Sequence, residues 1–262
     1  MSFPLSPHVQ IESIEIAGIP GYRFKAEASR KPYPTLIFYH GWQSNADRQR
    51  FRAGALAAFG YQVFIFDGPM HGKRGQVEDT PENVLHYFWQ VIDQEVAEFP
   101  VIYEELVETF AADPNRLAVM GHSMGAFVSL ALMTQYPYIS CGIGYNGASD
   151  WSFIEENLAM NYRTTPEAIK AGRSPLGKVV YRPSQYNPLQ AADQLVNRPL
   201  FLTNGAEDQT IPLAGNLRLA DYLQAHNKDE GLFKHEIYEG VGHIVTDGML
   251  ADGLIFLKEH LK

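Results

Sequence analysis

The stretch Leu117-Ala118-Val119-Met120-Gly121-His122-Ser123-Met124-Gly125 carries the strongest structural signal in this chain. Its first four residues form a short apolar run that predicts a buried strand, and residues 124–136 behind it predict a helix. The pattern Gly-x-Ser-x-Gly between them is typical of a tight, strained turn that presents a serine. Side chains two positions before and after the serine would collide, which explains the two glycines. The stretch therefore predicts a strand–turn–helix unit with Ser123 at the turn.

Further short apolar runs lie on both sides of this unit, at residues 35–39, 61–66, 141–145 and 199–203. Runs without polar alternation are typical of strands buried on both faces, and hence of a parallel sheet covered by helices. An earlier pair of segments, Val9–Ile16 and Tyr22–Glu27, predicts a hairpin around the turn at 18–21. We expect an α/β fold with a mostly parallel central sheet.

Helical patterns fall between the apolar runs, which predicts helices on both faces of the sheet. The segments are residues 46–59, a long stretch that begins at Pro81 and extends to Phe110, and residues 124–136, 214–226 and 246–260. Pro100 lies inside the long stretch, where it should kink or divide the helix. Residues 150–188 interrupt this alternation of strands and helices. They form a stretch of about forty residues rich in aromatics and prolines, which predicts a lid or cap insertion.

Composition limits the classes of function. The chain has 262 residues and a hydrophobic content of 45%. Residues 1–262 can therefore form one domain with a large core. The net charge of −9 disfavours nucleic acid as a partner. The single cysteine, Cys141, excludes an internal disulfide framework and is expected to pack in a strand. No apolar run is long enough to span a membrane and the first residues do not read as a signal peptide, so we expect a cytoplasmic protein.

A serine hydroxyl needs a base to become nucleophilic, and that base needs an acid to orient it. Among the histidines that follow Ser123, His243 lies in a loop after a predicted strand and before the last helix. This position suits a general base. The other three histidines of this part of the chain are expected to be solvated: His226, His235 and His260.

The acid is expected at the end of the strand over 199–203, since the carboxyl ends of parallel strands share one sheet edge. Asp208 is the first choice, Glu207 is the neighbour that could be confused with it, and Asp150 is the alternative after the preceding strand. The chain has no paired metal spacing such as His-Glu-x-x-His, and the motifs call for no metal and no cofactor.

Stabilisation of an oxyanion is expected from two backbone N–H groups, those of Trp42 and Met124. Trp42 belongs to Tyr39-His40-Gly41-Trp42, which closes the first buried parallel strand. His40 is more simply a buried residue that braces this loop than a catalyst. His71 either contacts substrate or, the favoured interpretation, braces its loop through Asp67 or Arg74.

Taken together, these motifs resemble the α/β-hydrolase superfamily. The segments 66–75 and His86-Tyr87-Phe88-Trp89-Gln90 are similar to small bacterial esterases of the YjfP/YitV type, over about residues 10–261. The resemblance implies hydrolysis of carboxylic esters. Asn204 and His122 depart from it, because those esterases often carry a histidine and a small residue, respectively, at these positions.

The expected partner is a small-molecule ester. His71, Trp89 and Trp151 are the candidate substrate-binding residues, with Trp42 and Met70 as further walls of an apolar pocket suited to short acyl or aryl esters. Thioesters and lactones use the same machinery and stay open as alternatives. Peptidase action is less favoured, because the prolyl-peptidase relatives usually place a tyrosine after the nucleophile and carry a second large domain. A hydrolase fold that binds a ligand without turnover is the alternative from another class.

Overall fold

A central sheet organises the computed structural model, which describes residues 8–161 and 184–261. Its eight strands in the described part of the chain run in the order β1-β2-β4-β3-β5-β6-β7-β8. They are β1 (Val9–Ile16), β2 (Ile19–Ala26), β3 (Tyr33–Tyr39), β4 (Gln62–Phe66), β5 (Ala112–His122), β6 (Cys141–Tyr145), β7 (Leu200–Gly205) and β8 (Phe233–Tyr238). Only β2 pairs antiparallel with its neighbours, and all other pairs are parallel. The mostly parallel sheet and the opening hairpin predicted from the sequence are confirmed.

Helices cover both faces of this sheet. They are α1 (Arg50–Ala58), α2 (Pro81–Glu108), α3 (Met124–Gln135), α4 (Trp151–Asn161), α5 (Ala214–His226) and α6 (Asp247–His260). Successive strand residues point to opposite faces, so Ile37 packs with the layer of α2, α3 and α5, whereas Leu36 packs with that of α1 and α6. This two-layer burial explains why the strands are apolar without alternation.

Pro100 was expected to kink or divide its helix, and it does not divide it, because α2 continues through Pro100 as a single element. A proline has no N–H, and the carbonyl four residues earlier therefore loses its helical donor. That carbonyl belongs to Val96, and it accepts a hydrogen bond of 3.2 Å from the Tyr136 hydroxyl at the end of α3. The substitute donor compensates for the bond that Pro100 removes.

The start of β5 lies five residues before the apolar run that predicted it. Residues 112–116 include Asp113, Asn115 and Arg116, and pairing with β3 is irregular between Tyr33 and Thr35. A strand start with exposed polar side chains leaves no apolar signal. Cys141 is a free, fully buried thiol in β6, as expected for a packing role.

The predicted lid falls largely outside the described residues, since 162–183 are not among them. Of its flanks, Asp150 and the start of α4 are described, and the Trp151 side chain is packed into the core. The lid therefore stays a prediction. No described helix combines the length and the apolar character needed to cross a membrane.

Candidate active site

Ser123 occupies the strained turn that its motif predicts. It lies between β5 and α3 with φ 56° and ψ −122°, a conformation that L-residues rarely adopt. A Cβ on Gly121 would overlap the backbone of Gly125, and a Cβ on Gly125 would overlap the Tyr39 carbonyl. Both glycines are therefore required by close backbone approach, and the turn presents the serine side chain at the carboxyl edge of the sheet.

A chain of hydrogen bonds links Ser123 to a histidine and a carboxylate. The Ser123 hydroxyl lies 2.9 Å from His243 Nε2, and His243 Nδ1 lies 2.7 Å from Asp208 Oδ2. Because a carboxylate can only accept, Nδ1 donates to Asp208 and Nε2 is left to accept the serine proton. The structure thus brings together all three side chains that the sequence singled out.

Backbone hydrogen bonds hold the Asp208 carboxylate in place independently of His243. Its Oδ1 atom accepts from the backbone N–H groups of Thr210 and Ile211, both at 2.9 Å. These two bonds orient the buried carboxylate, so that Oδ2 faces His243. The neighbouring Glu207 is exposed, and Asp150 is held by Arg218 at 2.9 Å. Neither alternative acid faces His243.

Asn146 joins the loops that carry the acid and the histidine. It follows β6, its Oδ1 accepts from Gly205 N at 2.9 Å, and its Nδ2 donates to Ile244 O at 2.6 Å. Sequence reasoning missed this residue. The sequence feature that could have indicated it is an asparagine directly after a buried strand. Asparagine tolerates a positive φ, and the φ of Asn146 is 48°.

The loop after β3 lies against the serine. A Cβ on Gly41 would be 3.3 Å from Ser123 Cβ, so only glycine allows this approach without a shift. Within the described residues, neither the Trp42 N–H nor the Met124 N–H donates a hydrogen bond. The Met124 N–H also opens α3, where the helix dipole favours negative charge. These are the two donors expected from the sequence.

His40 fixes the peptide that carries the Trp42 N–H. Its Nδ1 donates to Gly41 O at 2.9 Å, and its Nε2 accepts from Gly68 N at 2.9 Å. Gly41 O and Trp42 N belong to one planar peptide unit, so holding the oxygen also aims the N–H. Burial lowers the pKa of His40 to about 4 and keeps the ring neutral. The bracing role expected for His40 is confirmed.

His71 also uses both ring nitrogens on backbone groups. Nδ1 donates to Pro69 O at 2.8 Å, and Nε2 accepts from Gln43 N at 3.2 Å. It therefore braces the loops after β3 and β4, although not through Asp67 or Arg74 as expected. Asp67 bridges the same loops separately, because its two oxygens accept from Ala46 N and Lys73 N.

The two tryptophans expected to bind substrate lie in the core layer beside α3. Trp89 and Trp151 are each 2% exposed, and their rings are 4.9 Å apart. Their contact with substrate stays a prediction, as does that of His71. The Trp42 side chain is half-buried, and its indole N–H donates to Asp79 at 3.1 Å.

The two positions that depart from the resemblance have distinct surroundings. The His122 ring lies 5.0 Å from the His243 ring, and burial lowers the pKa of His122 to about 3. Asn204 Oδ1 accepts from His235 Nε2 and from Asn216 Nδ2. The expectation of a solvated His235 is therefore wrong, because Asn204 offers a buried acceptor across the β7–β8 pair.

The chain is similar to known proteins along nearly its whole length. The chain is 30% identical over 254 residues to the Escherichia coli esterase YjfP, covering 97% of this chain and all of that protein. It is 24% identical over 223 residues to the Bacillus subtilis putative esterase YitV, with 85% of this chain and 87% of the relative covered. The crystal structure of TT1662 from Thermus thermophilus matches 97% of this chain and 99% of its own at 24% identity, with a TM-score of 0.74.

A family model described as the prolyl oligopeptidase family matches residues 48–262. This range includes Ser123, Asp208 and His243, and it extends over most of the chain. The structural match and the strand order agree with the α/β-hydrolase fold expected from the motifs. The chain belongs to the prolyl oligopeptidase family, within the α/β-hydrolase superfamily.

Proposed function

We propose that this protein is a serine esterase that hydrolyses small carboxylic esters through an acyl-enzyme, with Ser123 as nucleophile, His243 as general base and Asp208 as orienting acid. The observation that carries the proposal is the hydrogen-bond chain from Ser123 Oγ through His243 to Asp208, built on a strained serine turn. The similarity to the esterases YjfP and YitV along nearly their whole lengths supports the same activity.

The reaction begins when Ser123 Oγ attacks the ester carbonyl carbon and its proton passes to His243 Nε2. Asp208 holds the imidazole in the productive tautomer and stabilises the imidazolium. The N–H groups of Trp42 and Met124 receive the oxyanion. His243 then donates the proton to the departing alcohol. A water molecule, deprotonated by the same histidine, attacks the acyl carbon and releases the acid.

Activity on p-nitrophenyl esters of increasing acyl length tests the proposal, with the thioester and lactone analogues in the same panel. We expect the highest kcat/KM for short acyl chains, because the sequence predicts an apolar pocket suited to short acyl or aryl esters. Reaction with a fluorophosphonate probe should label the parent and not Ser123→Ala. Absence of labelling in the folded parent would favour a binding protein that has the fold without turnover.

Peptide-bond cleavage is the second candidate, because the matching family model is named for peptidases. An acyl p-nitroanilide and the p-nitrophenyl ester of the same acyl group differ at the scissile bond, so their ratio separates the two functions. We expect the ester to be turned over far faster. A higher kcat/KM on the anilide would assign this chain to the peptidases instead.

A further inference from the structure

Helix α2 carries a carboxyl group that the proposed mechanism does not use. Glu95 is 5% exposed, and its Oε2 atom has no hydrogen-bond partner within the described residues. Burial, assisted by the charge of Glu98 and opposed by that of Arg74, raises the pKa of Glu95 to about 8. The surroundings therefore favour the protonated carboxyl much more than those of an ordinary glutamate do.

The Glu95 carboxyl lies behind the loop that carries a proposed oxyanion donor. A Cβ on Gly68 would be 2.9 Å from Glu95 Oε1 and 3.3 Å from both Cε1 and Nε2 of His40. Gly68 is thus enclosed between the carboxyl and the imidazole, and it donates its own N–H to that imidazole. His40 in turn holds the Gly41–Trp42 peptide. Contacts connect Glu95 to the Trp42 N–H in three steps.

Within the described residues, the charged or titratable groups that face Glu95 are Arg74, Glu98, Asp67, His40 and Tyr39. Arg74 makes its hydrogen bonds, of 2.5 and 2.8 Å, to Glu98, so it only partly offsets the burial of Glu95. Asp67 is saturated by backbone donors. In the loop after β3, His40 is neutral, and in β3 the Tyr39 hydroxyl is buried without a partner within the described residues.

The space around the carboxyl is small. The cavity that Glu95 shares with Tyr39, Asp67 and Arg74 has a volume of only about 10 Å³. This is about one water molecule, whereas a carboxylate in water has several hydrogen-bonding neighbours. Ionisation of Glu95 would place a negative charge against Gly68 and His40, which lie beside the carboxyl.

We propose that Glu95 is a positioning residue for the oxyanion site, and that its carboxyl, packed against Gly68, keeps Gly68 and His40 in place so that the Trp42 N–H faces Ser123. This inference rests on the proposed esterase function. Loss of the Glu95 proton displaces the Trp42 N–H and removes stabilisation of the transition state without removing substrate contacts. The effect of Glu95 is therefore on kcat more than on KM.

The test is the pH profile of kcat for a neutral p-nitrophenyl ester between pH 6 and 10. In the parent, kcat should fall as Glu95 ionises, by roughly thirtyfold at pH 9.5 if the ionised form is inactive. Glu95→Gln should keep kcat within a few-fold of the parent at pH 7 and lose this alkaline decline. Glu104→Gln, an exposed glutamate of the same helix, should behave as the parent. An alkaline decline retained in Glu95→Gln would overturn the proposal.

A second variant keeps the carboxyl and disturbs its contact. The methyl group of Gly68→Ala would intrude between Glu95 and His40, so kcat at pH 7 should fall about tenfold with little change in KM. An unchanged kcat would contradict the positioning path through residue 68. Absence of Ser123-dependent hydrolysis in the parent at any pH would instead contradict the esterase function, and carbon NMR titration of the Glu95 carboxyl would then still measure whether it stays protonated at pH 7.

Discussion

His243 and His40 lie on opposite sides of Ser123, since one follows β8 and the other follows β3, with β5 between these strands. Each ring makes a hydrogen bond through both of its nitrogens. His243 has a hydroxyl and a carboxylate as partners, and its side chain is 22% exposed. His40 has a backbone carbonyl and a backbone N–H as partners and is fully buried.

The charge of its partners and its exposure to solvent decide what a histidine can do. Asp208 compensates an imidazolium at His243, so that ring can take up and return a proton. Among the residues that the structure describes, no group of opposite charge hydrogen-bonds to His40, and its pKa of about 4 keeps it neutral. His243 is therefore suited to moving protons, whereas His40 can only hold a peptide in place. The predictions below test that contrast.

Removal of the proton-moving histidine should have the largest effect. In His243→Ala, Ser123 has no base, and kcat for ester hydrolysis should fall by about 10⁶ with the fold intact. His226→Ala removes an exposed histidine and should leave kcat unchanged. Stopped assays with long incubation measure the residual rate, and circular dichroism checks the fold. A loss below a hundredfold would mean that His243 is not the base.

Asp208→Asn tests whether the carboxylate charge, rather than its shape, matters to His243. An amide at this position can favour the wrong tautomer of the imidazole and cannot stabilise its cation, so kcat should fall by about 10⁴. Glu207→Gln is the matched control, because it neutralises the adjacent exposed carboxylate. Equal losses in the two variants would place the effect in the general electrostatics of the loop.

The three residues of the proposed triad could be predicted from the sequence, and the residues that hold the site in place only in part. Ser123, His243 and Asp208 each end or follow a strand, and parallel strands bring such positions to one edge by geometry alone. Glu207 and Asp208 are adjacent, so only the observed hydrogen bonds separate them. Strand positions were predictable because burial on both faces leaves an apolar run.

Apart from His40, the supporting residues could not be predicted, because they contact each other through the fold rather than through spacing. Glu95 lies in the long helical pattern of α2, where a glutamate ordinarily faces solvent, and its burial depends on how α2 packs on the loop at Gly68. The continuity of α2 through Pro100 likewise depends on the Tyr136 hydroxyl, 36 residues further along the chain. Pairings of this kind leave no local signal.

A variant of His40 gives a further test of the difference between the two histidines. His40→Gln can still form hydrogen bonds but fixes the Gly41–Trp42 peptide less rigidly. We expect kcat to fall about ten- to a hundredfold, less than the loss of a whole oxyanion donor, with KM within about threefold. His226→Gln is the control. A fall in kcat as large as that of His243→Ala would make His40 a participant in proton transfer and would abolish the distinction.

The smallest effect is on stability, and it distinguishes the neutral histidine by its sign. The pKa of His40 in the fold, about 4, lies below the ordinary value of 6.5. As the pH falls through 6.5, the unfolded chain binds a proton that the folded one refuses, so the free energy of unfolding decreases down to about pH 4. Each such group contributes at most about 1.4 kcal/mol per pH unit. His122, with a pKa of about 3, adds to the same decline.

Urea unfolding at pH 7 and pH 5.5 should therefore show a smaller loss of stability in His40→Gln than in the parent, and His226→Gln should match the parent. An equal loss in His40→Gln would mean that the buried ring accepts a proton in the folded state, and the distinction between the two histidines would then be one of degree.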